Sequence, residues 1–147
     1  MGIVGLGHVV LHAESPQELA SFYVEVLGLE LVETDKDYNL TFLSSRPGKV
    51  NHDLSFTALP KMAHIAYEVD SLSTLRRFHR ELTQRGVPIV SVMNFGWSIG
   101  LTFEDPEGNK CELYWKTGRE LPHRAPIDIE LPDEEIERIL DEVPTMS

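Results

Sequence analysis

A single cysteine, Cys111, is all the sulfur chemistry this sequence offers beyond its methionines. One thiol excludes an intrachain disulfide and a zinc site built on cysteines, so Cys111 reads as a small buried side chain in a strand. Basic residues are scarce too: 13 Lys and Arg stand against 24 Asp and Glu, a net charge of −11. A phosphate backbone or an anionic membrane needs a basic surface, which argues against nucleic acid and membrane as partners. No apolar run approaches the roughly 20 residues of a membrane span. The start, MGIVGLGHVV, lacks the basic region and cleavage site of a secretory signal, so a cytoplasmic protein is expected.

What is present is a sequence used twice. GHVVLHAESPQELASFY from Gly7 is matched by AHIAYEVDSLSTLRRFH from Ala63, pairing His8 with His64, Ser15 with Ser71, Leu19 with Leu75 and Phe22 with Phe78. Each copy reads as strand, helix and three strands. In the first, residues 5–13 alternate as a strand with Val9 and Leu11 opposite His8, Val10 and His12. Ser15-Pro16 then opens a helix with Glu18 three residues after the cap, and Gly28 closes it. Strands follow near 29–35, 38–44 and 51–58. In the second copy a strand near 62–69 precedes a helix from about 72 to 85, stopped by Gly86. Strands near 87–93, 99–104 and 109–116 follow, with a turn at Asp105–Asn109.

The expected fold is α+β: two pseudo-symmetric βαβββ modules, 4–58 and 61–116, sharing one concave mixed sheet in a single domain, 1–116. Residues 117–147 form an acidic, proline-punctuated arm with nine acidic residues against three arginines. Asp133, Ile136, Ile139 and Leu140 predict a helix at 133–142, either docked on the body or on a second subunit, or else a solvated tail.

His8, His64 and Glu112 alternate away from aliphatic neighbours on their strands, which places the three on the concave face if the aliphatic residues pack on the helices. Either histidine alone reads as a core residue satisfied by a hydrogen bond. The symmetric pair with an acid reads as the ligand set of a divalent metal, which offsets the several kcal/mol that burying a carboxylate costs. Matching Leu40-Thr41-Phe42 to Leu101-Thr102-Phe103 and Lys49 to Lys110 sets Asn51 opposite Glu112, so no fourth carboxylate is expected. Such a metal would keep open positions for a substrate. His12 lies about 13 Å along the strand from His8 and reads as solvent-facing; His79 and His123 read as structural or exposed.

These residues resemble the vicinal oxygen chelate superfamily (the glyoxalase/bleomycin resistance/dioxygenase fold), over residues 4 to about 116. They look most like type I extradiol ring-cleaving dioxygenases. The resemblance implies an Fe(II), or alternatively Mn(II), centre on His8, His64 and Glu112, with an aromatic diol and O2 as substrates. It also implies a proton-handling role for His52, in Asn51-His52-Asp53-Leu54-Ser55-Phe56, whose alternative is a strand-edge histidine in solvent. Phe56, Phe95, Trp97, Thr102 and Tyr114 are the expected pocket. Two departures stand out: Asn94-Phe95 replaces a histidine expected before Gly96, and Thr102 replaces a tyrosine. A glyoxalase-like isomerase, epimerase or lyase, or a metal-free binding protein, are the alternatives, and a homodimer is expected.

Overall fold

A computed structural model describes residues 2–120 and 122–142. The described residues form an α+β structure with nine strands and three α-helices. Leu121 and residues 143–147, parts of the expected arm, lie outside the described residues. No described helix is long and apolar enough to cross a membrane. Two compact units divide the chain: Gly7–Ala66, and Met1–Leu6 together with Tyr67–Ser147. Strands β1 (Ile3–His12) and β5 (His64–Val69) have residues in both.

In the unit Gly7–Ala66, β1 is followed by α1 (Pro16–Leu27), β2 (Glu30–Asp35), β3 (Leu40–Ser44) and β4 (Leu54–Thr57). The sheet runs β2-β3-β4-β1-β5, with β1 parallel to β4 and the β2/β3 and β3/β4 pairs antiparallel. Pro16 presets the first helical turn. Ser15 occupies the cap position, but its side chain makes no capping bond. Gly28 ends α1 with a φ of 78°, a conformation that costs other residues a steric penalty. The core is Ala13, Ala20, Leu43 and Phe56, with Leu19, Tyr23 and Val24 of α1 packed on it.

The other unit holds α2 (Leu72–Gln84), β6 (Ile89–Asn94), β7 (Ser98–Glu104), β8 (Lys110–Lys116), β9 (Ala125–Pro126) and α3 (Asp133–Asp141). Here Ser71 does cap its helix, accepting from the Thr74 amide at 3.0 Å. The strand order is β8-β7-β6-β9. Val69, Leu72 and Leu75 pack with Ile99, Leu101 and Leu113, and the arm adds Ile127, Ile129, Ile136 and Leu140 to the same core. The arm is therefore a core-forming part of its unit. Arg76 of α2 fastens it, donating to the carbonyls of Ile129 (2.5 Å) and Leu131 (2.6 Å) and to Asp133. Arg80 forks onto Glu130, and Arg119 bonds Asp141 at 2.8 Å. The acidic run Asp133-Glu134-Glu135 falls in the first turn of α3, where the helix dipole favours negative charge.

Two expectations about burial change. Leu11 is 43% and Ile65 38% exposed, so these aliphatic residues of β1 and β5 are not buried. Cys111 is half-buried, and burial raises its thiol above the ordinary range.

Because Ile136 is fully buried, Ile136→Ala should lower unfolding free energy by about 2–5 kcal/mol. Urea denaturation followed by circular dichroism measures it; a loss below about 0.5 kcal/mol, typical of a surface site, would mean that α3 is not docked.

Candidate metal and substrate site

The pleat decides which residues reach the site. In the unit Gly7–Ala66, Leu43 and Phe56 face α1, so their strand neighbours Phe42 and Ser55 face the other way. Register pairs Phe42 with Ser55 and Ser55 with Val10, which puts Val10 and His8 on that second face. His8 is buried, and its Nε2 lies 3.3 Å from Nε2 of His64. The His64 Nδ1–H donates to the Met62 carbonyl at 2.7 Å. That bond fixes the tautomer in the neutral ring and leaves its Nε2 lone pair directed at His8. Burial first, then the neighbouring His52 and His64, pushes the His8 pKa down to about 3, so this imidazole is neutral near pH 7.

Two Nε2 atoms at this spacing suit one cation. Metal–nitrogen bonds of about 2.1 Å meeting near a right angle separate their donors by roughly 3 Å. The anchored Nδ1 of His64 is the arrangement metal-binding histidines use to hold ring orientation. His52 joins the pair: its ring lies 5.2 Å from that of His8 and 5.0 Å from that of Phe42. Its Nδ1 is 2.9 Å from Oδ1 of Asn51, to which it donates. Burial holds the His52 pKa below the ordinary imidazole value, against the opposing pull of Asp53 and Glu33.

In the other unit Ile99, Leu101 and Leu113 face α2 and the arm. Gly100, Thr102, Glu112 and Tyr114 therefore share the opposite face, through the pairs Gly100–Tyr114 and Thr102–Glu112. Glu112 is 9% exposed, and burial raises its carboxyl pKa to about 7. Trp97 stacks edge-on to Tyr114 with ring centroids 5.7 Å apart. Tyr114 is buried, which with the charges of Glu68 and Glu112 lifts its phenol to about 12.

The expected residues thus fall into two groups. His8, His64 and His52 come together in one unit, with Phe42, which the sequence reading left out although its alternation from Thr41 marks its face. Glu112, Phe95, Trp97, Thr102 and Tyr114 belong to the other. Phe56 leaves the pocket: it is fully buried against Tyr23 of α1, 5.0 Å between ring centroids.

The match of Leu40-Thr41-Phe42 to Leu101-Thr102-Phe103 also fails. Leu101 packs toward α2, whereas Leu40 lies three residues from the α1-facing Leu43 and so points away from its helix. Asn51 is therefore not the counterpart of Glu112. The chain beside His8 is Asp53, whose carbonyl accepts from the Val9 amide at 3.0 Å. The Asp53 carboxylate is engaged by Ser45, including its amide at 3.0 Å. His12 is exposed; His79 lies 3.5 Å from Glu130, and the His123 amide donates to the Phe95 carbonyl at 3.1 Å.

With this geometry in place, comparison with known proteins defines the class. Residues 5–113 match the sequence model of the Glyoxalase/Bleomycin resistance protein/Dioxygenase superfamily, and the chain belongs to that superfamily. Biphenyl-2,3-diol 1,2-dioxygenase 3 of Rhodococcus globerulus is 26% identical over 117 residues, covering 74% of this chain and 61% of that protein. The Mn(II)-bound glyoxalase of Novosphingobium aromaticivorans superposes with a TM-score of 0.67 at 20% identity, over 90% of this chain and 44% of the other. Homoprotocatechuate 2,3-dioxygenase of Arthrobacter globiformis gives 0.66 at 24% identity, over 81% and 38%. The chain spans less than two thirds of each of these relatives.

Glu112 sets a pH dependence for the metal-free protein. Its folded pKa of about 7 exceeds the ordinary 4.5, so its contribution to stability is full below pH 4.5 and is lost as pH rises toward 7. Glu112→Gln removes the ionisation. The chelator-treated variant should gain on the order of 3 kcal/mol relative to wild type between pH 4.5 and pH 8, read from urea midpoints at both. Parallel curves for the two proteins would contradict the raised pKa.

Proposed function

We propose that this chain is a metal-dependent dioxygenase of the extradiol type, acting on an aromatic vicinal diol with O2. His8, His64 and Glu112 would each supply one ligand atom to Fe(II), or alternatively Mn(II). The observation that carries the reading is the pair of Nε2 atoms 3.3 Å apart, with His64 anchored through Nδ1. A divalent ion held there would supply Lewis-acid activation of a chelating diol and a path for its electrons to O2.

The chain's own residues have separable tasks. Burial keeps the His8 ring uncharged, and the Met62 bond at Nδ1 leaves Nε2 as the nitrogen through which His64 would meet a metal. His52 donates through Nδ1 to Asn51, leaving Nε2 of the neutral ring to accept a proton from a substrate hydroxyl. Phe42 flanks His52 and restricts its water, while Trp97 and Tyr114 offer an aromatic wall. Thr102 offers a hydroxyl where a larger phenol would reach further. The similarity to a biphenyl-2,3-diol dioxygenase supports a diol, and the Mn(II)-bound glyoxalase keeps an isomerase or lyase on the same metal as the competing reading.

Anaerobic loading with Fe(II), followed by O2-uptake measurements with mono- and bicyclic catechols, tests the proposal. Consumption of O2 with ring-opened product is expected; metal uptake without O2 consumption across the panel would favour the isomerase. His8→Ala and Glu112→Ala should weaken metal binding by more than about a hundredfold, beyond what the loss of a supporting group costs. His52→Ala should leave metal content unchanged and lower kcat by about 10²–10⁴. Equal metal loss in all three variants would remove His52 from its separate role.

A further inference from the structure

Gly100 sits in the middle of β7, where a glycine weakens a strand and needs a reason. Its backbone is not the reason, because its φ lies outside the left-handed region that other glycines of the chain occupy. Space is. A β-carbon at position 100 would stand 3.0 Å from Oε2 and 3.1 Å from Cδ of Glu112, and 3.0 Å from Cε2 of Phe95. These approaches are tighter than ordinary van der Waals contact, so an added methyl must displace one neighbour or the other.

Phe95 is the neighbour least able to move. Its amide donates to the Ser98 carbonyl at 2.8 Å, and its own carbonyl accepts from the His123 amide of the arm at 3.1 Å. The next residue is held on both sides: the Gly96 amide donates to Oδ1 of the buried Asn94 at 2.8 Å, and the Thr117 hydroxyl donates to the Gly96 carbonyl at 2.6 Å. The Thr117 amide then donates to the Trp97 carbonyl at 2.9 Å. The backbone of the turn that carries Phe95 is thus pinned at every residue, by β6, β7 and the arm, and the Arg124 guanidinium lies over the Phe95 ring, 6.0 Å from its centroid. The carboxylate of Glu112 is the part that yields.

We propose that Gly100 is a positioning residue for Glu112: its missing side chain and the Phe95 ring, carried on a pinned turn, define a slot that fixes where the carboxylate can lie. The inference rests on the reading of Glu112 as a metal ligand. It adds that ligand geometry in this unit is set by an absent methyl group and by the C-terminal arm.

The test uses the full chain and Mn(II) alone as probe. Gly100→Ala should weaken Mn(II) binding, measured by calorimetry, by about 10- to 100-fold, the range for a disturbed supporting group. Phe95→Leu alone removes one wall of the slot without forcing the carboxylate aside, and should weaken Mn(II) binding by less than Gly100→Ala does. The double variant Gly100→Ala/Phe95→Leu should recover most of the loss, because the smaller side chain gives the methyl room. Melting temperatures of the metal-free proteins provide a readout independent of metal, and there the two substitutions should be non-additive. Wild-type Mn(II) affinity in Gly100→Ala, or strictly additive melting temperatures, would overturn the slot. Non-additive melting temperatures in a protein that takes up no Mn(II) even as wild type would instead overturn the ligand role of Glu112.

Discussion

The two-residue period of a β-strand is the constraint on which the rest of this structure depends. Each strand must give one face to a helix-packed core and the other to polar chemistry, and a shift of one residue exchanges the two. Leu43 and Phe56 go to α1, and Phe42 and Ser55 follow to the face of His8. Leu101 and Leu113 go to α2 and the arm, and Gly100, Thr102 and Glu112 follow to the other. No residue in either group reaches its position independently. Burial of the aliphatic set, at about 25 cal/mol per Å² of apolar surface, holds the polar set in place against its own desolvation cost.

That cost shapes the electrostatics. Burial pushes His8 down to about 3 and Glu112 up to about 7, in each case toward the uncharged form. Under the proposed metal reading, a divalent cation would reverse that balance for the carboxylate and would meet the His8 imidazole already uncharged.

Much of the fold was legible because its signals are local. Pro16 and Gly28 bracket α1 within a residue of the expected limits, and the alternation around His64 marks β5. His8 and His64 were legible as a pair for the same reason, their flanking sequences being alike. Where reading failed, the cause was parity or distance. Leu-Thr-Phe recurs in both copies, but the recurrence places Leu40 and Leu101 on opposite pleat faces, and sequence similarity carries no information about which face is buried. Phe56 is one of the aromatics expected in the pocket, and nothing local marks it as core; its partner Tyr23 lies on a helix far away in sequence. The two-residue strand β9 has no periodicity to detect, since its existence depends on the edge of β6 that it meets.

The bond from the His123 amide to the Phe95 carbonyl bears on how the protein is made as well as how it works. Synthesis proceeds from the N-terminus, at roughly 5–20 residues per second, so His8 and His64 have left the ribosome well before the arm. The turn at Phe95 acquires its last restraint only after residue 123 emerges, and the core of that unit closes only when Ile136 and Leu140 arrive. Contacts so distant along the chain form late, since the entropy of closing the intervening loop must be overcome first. Until they do, the nascent chain carries His8 and His64 while the wall beside the carboxylate is still unfinished.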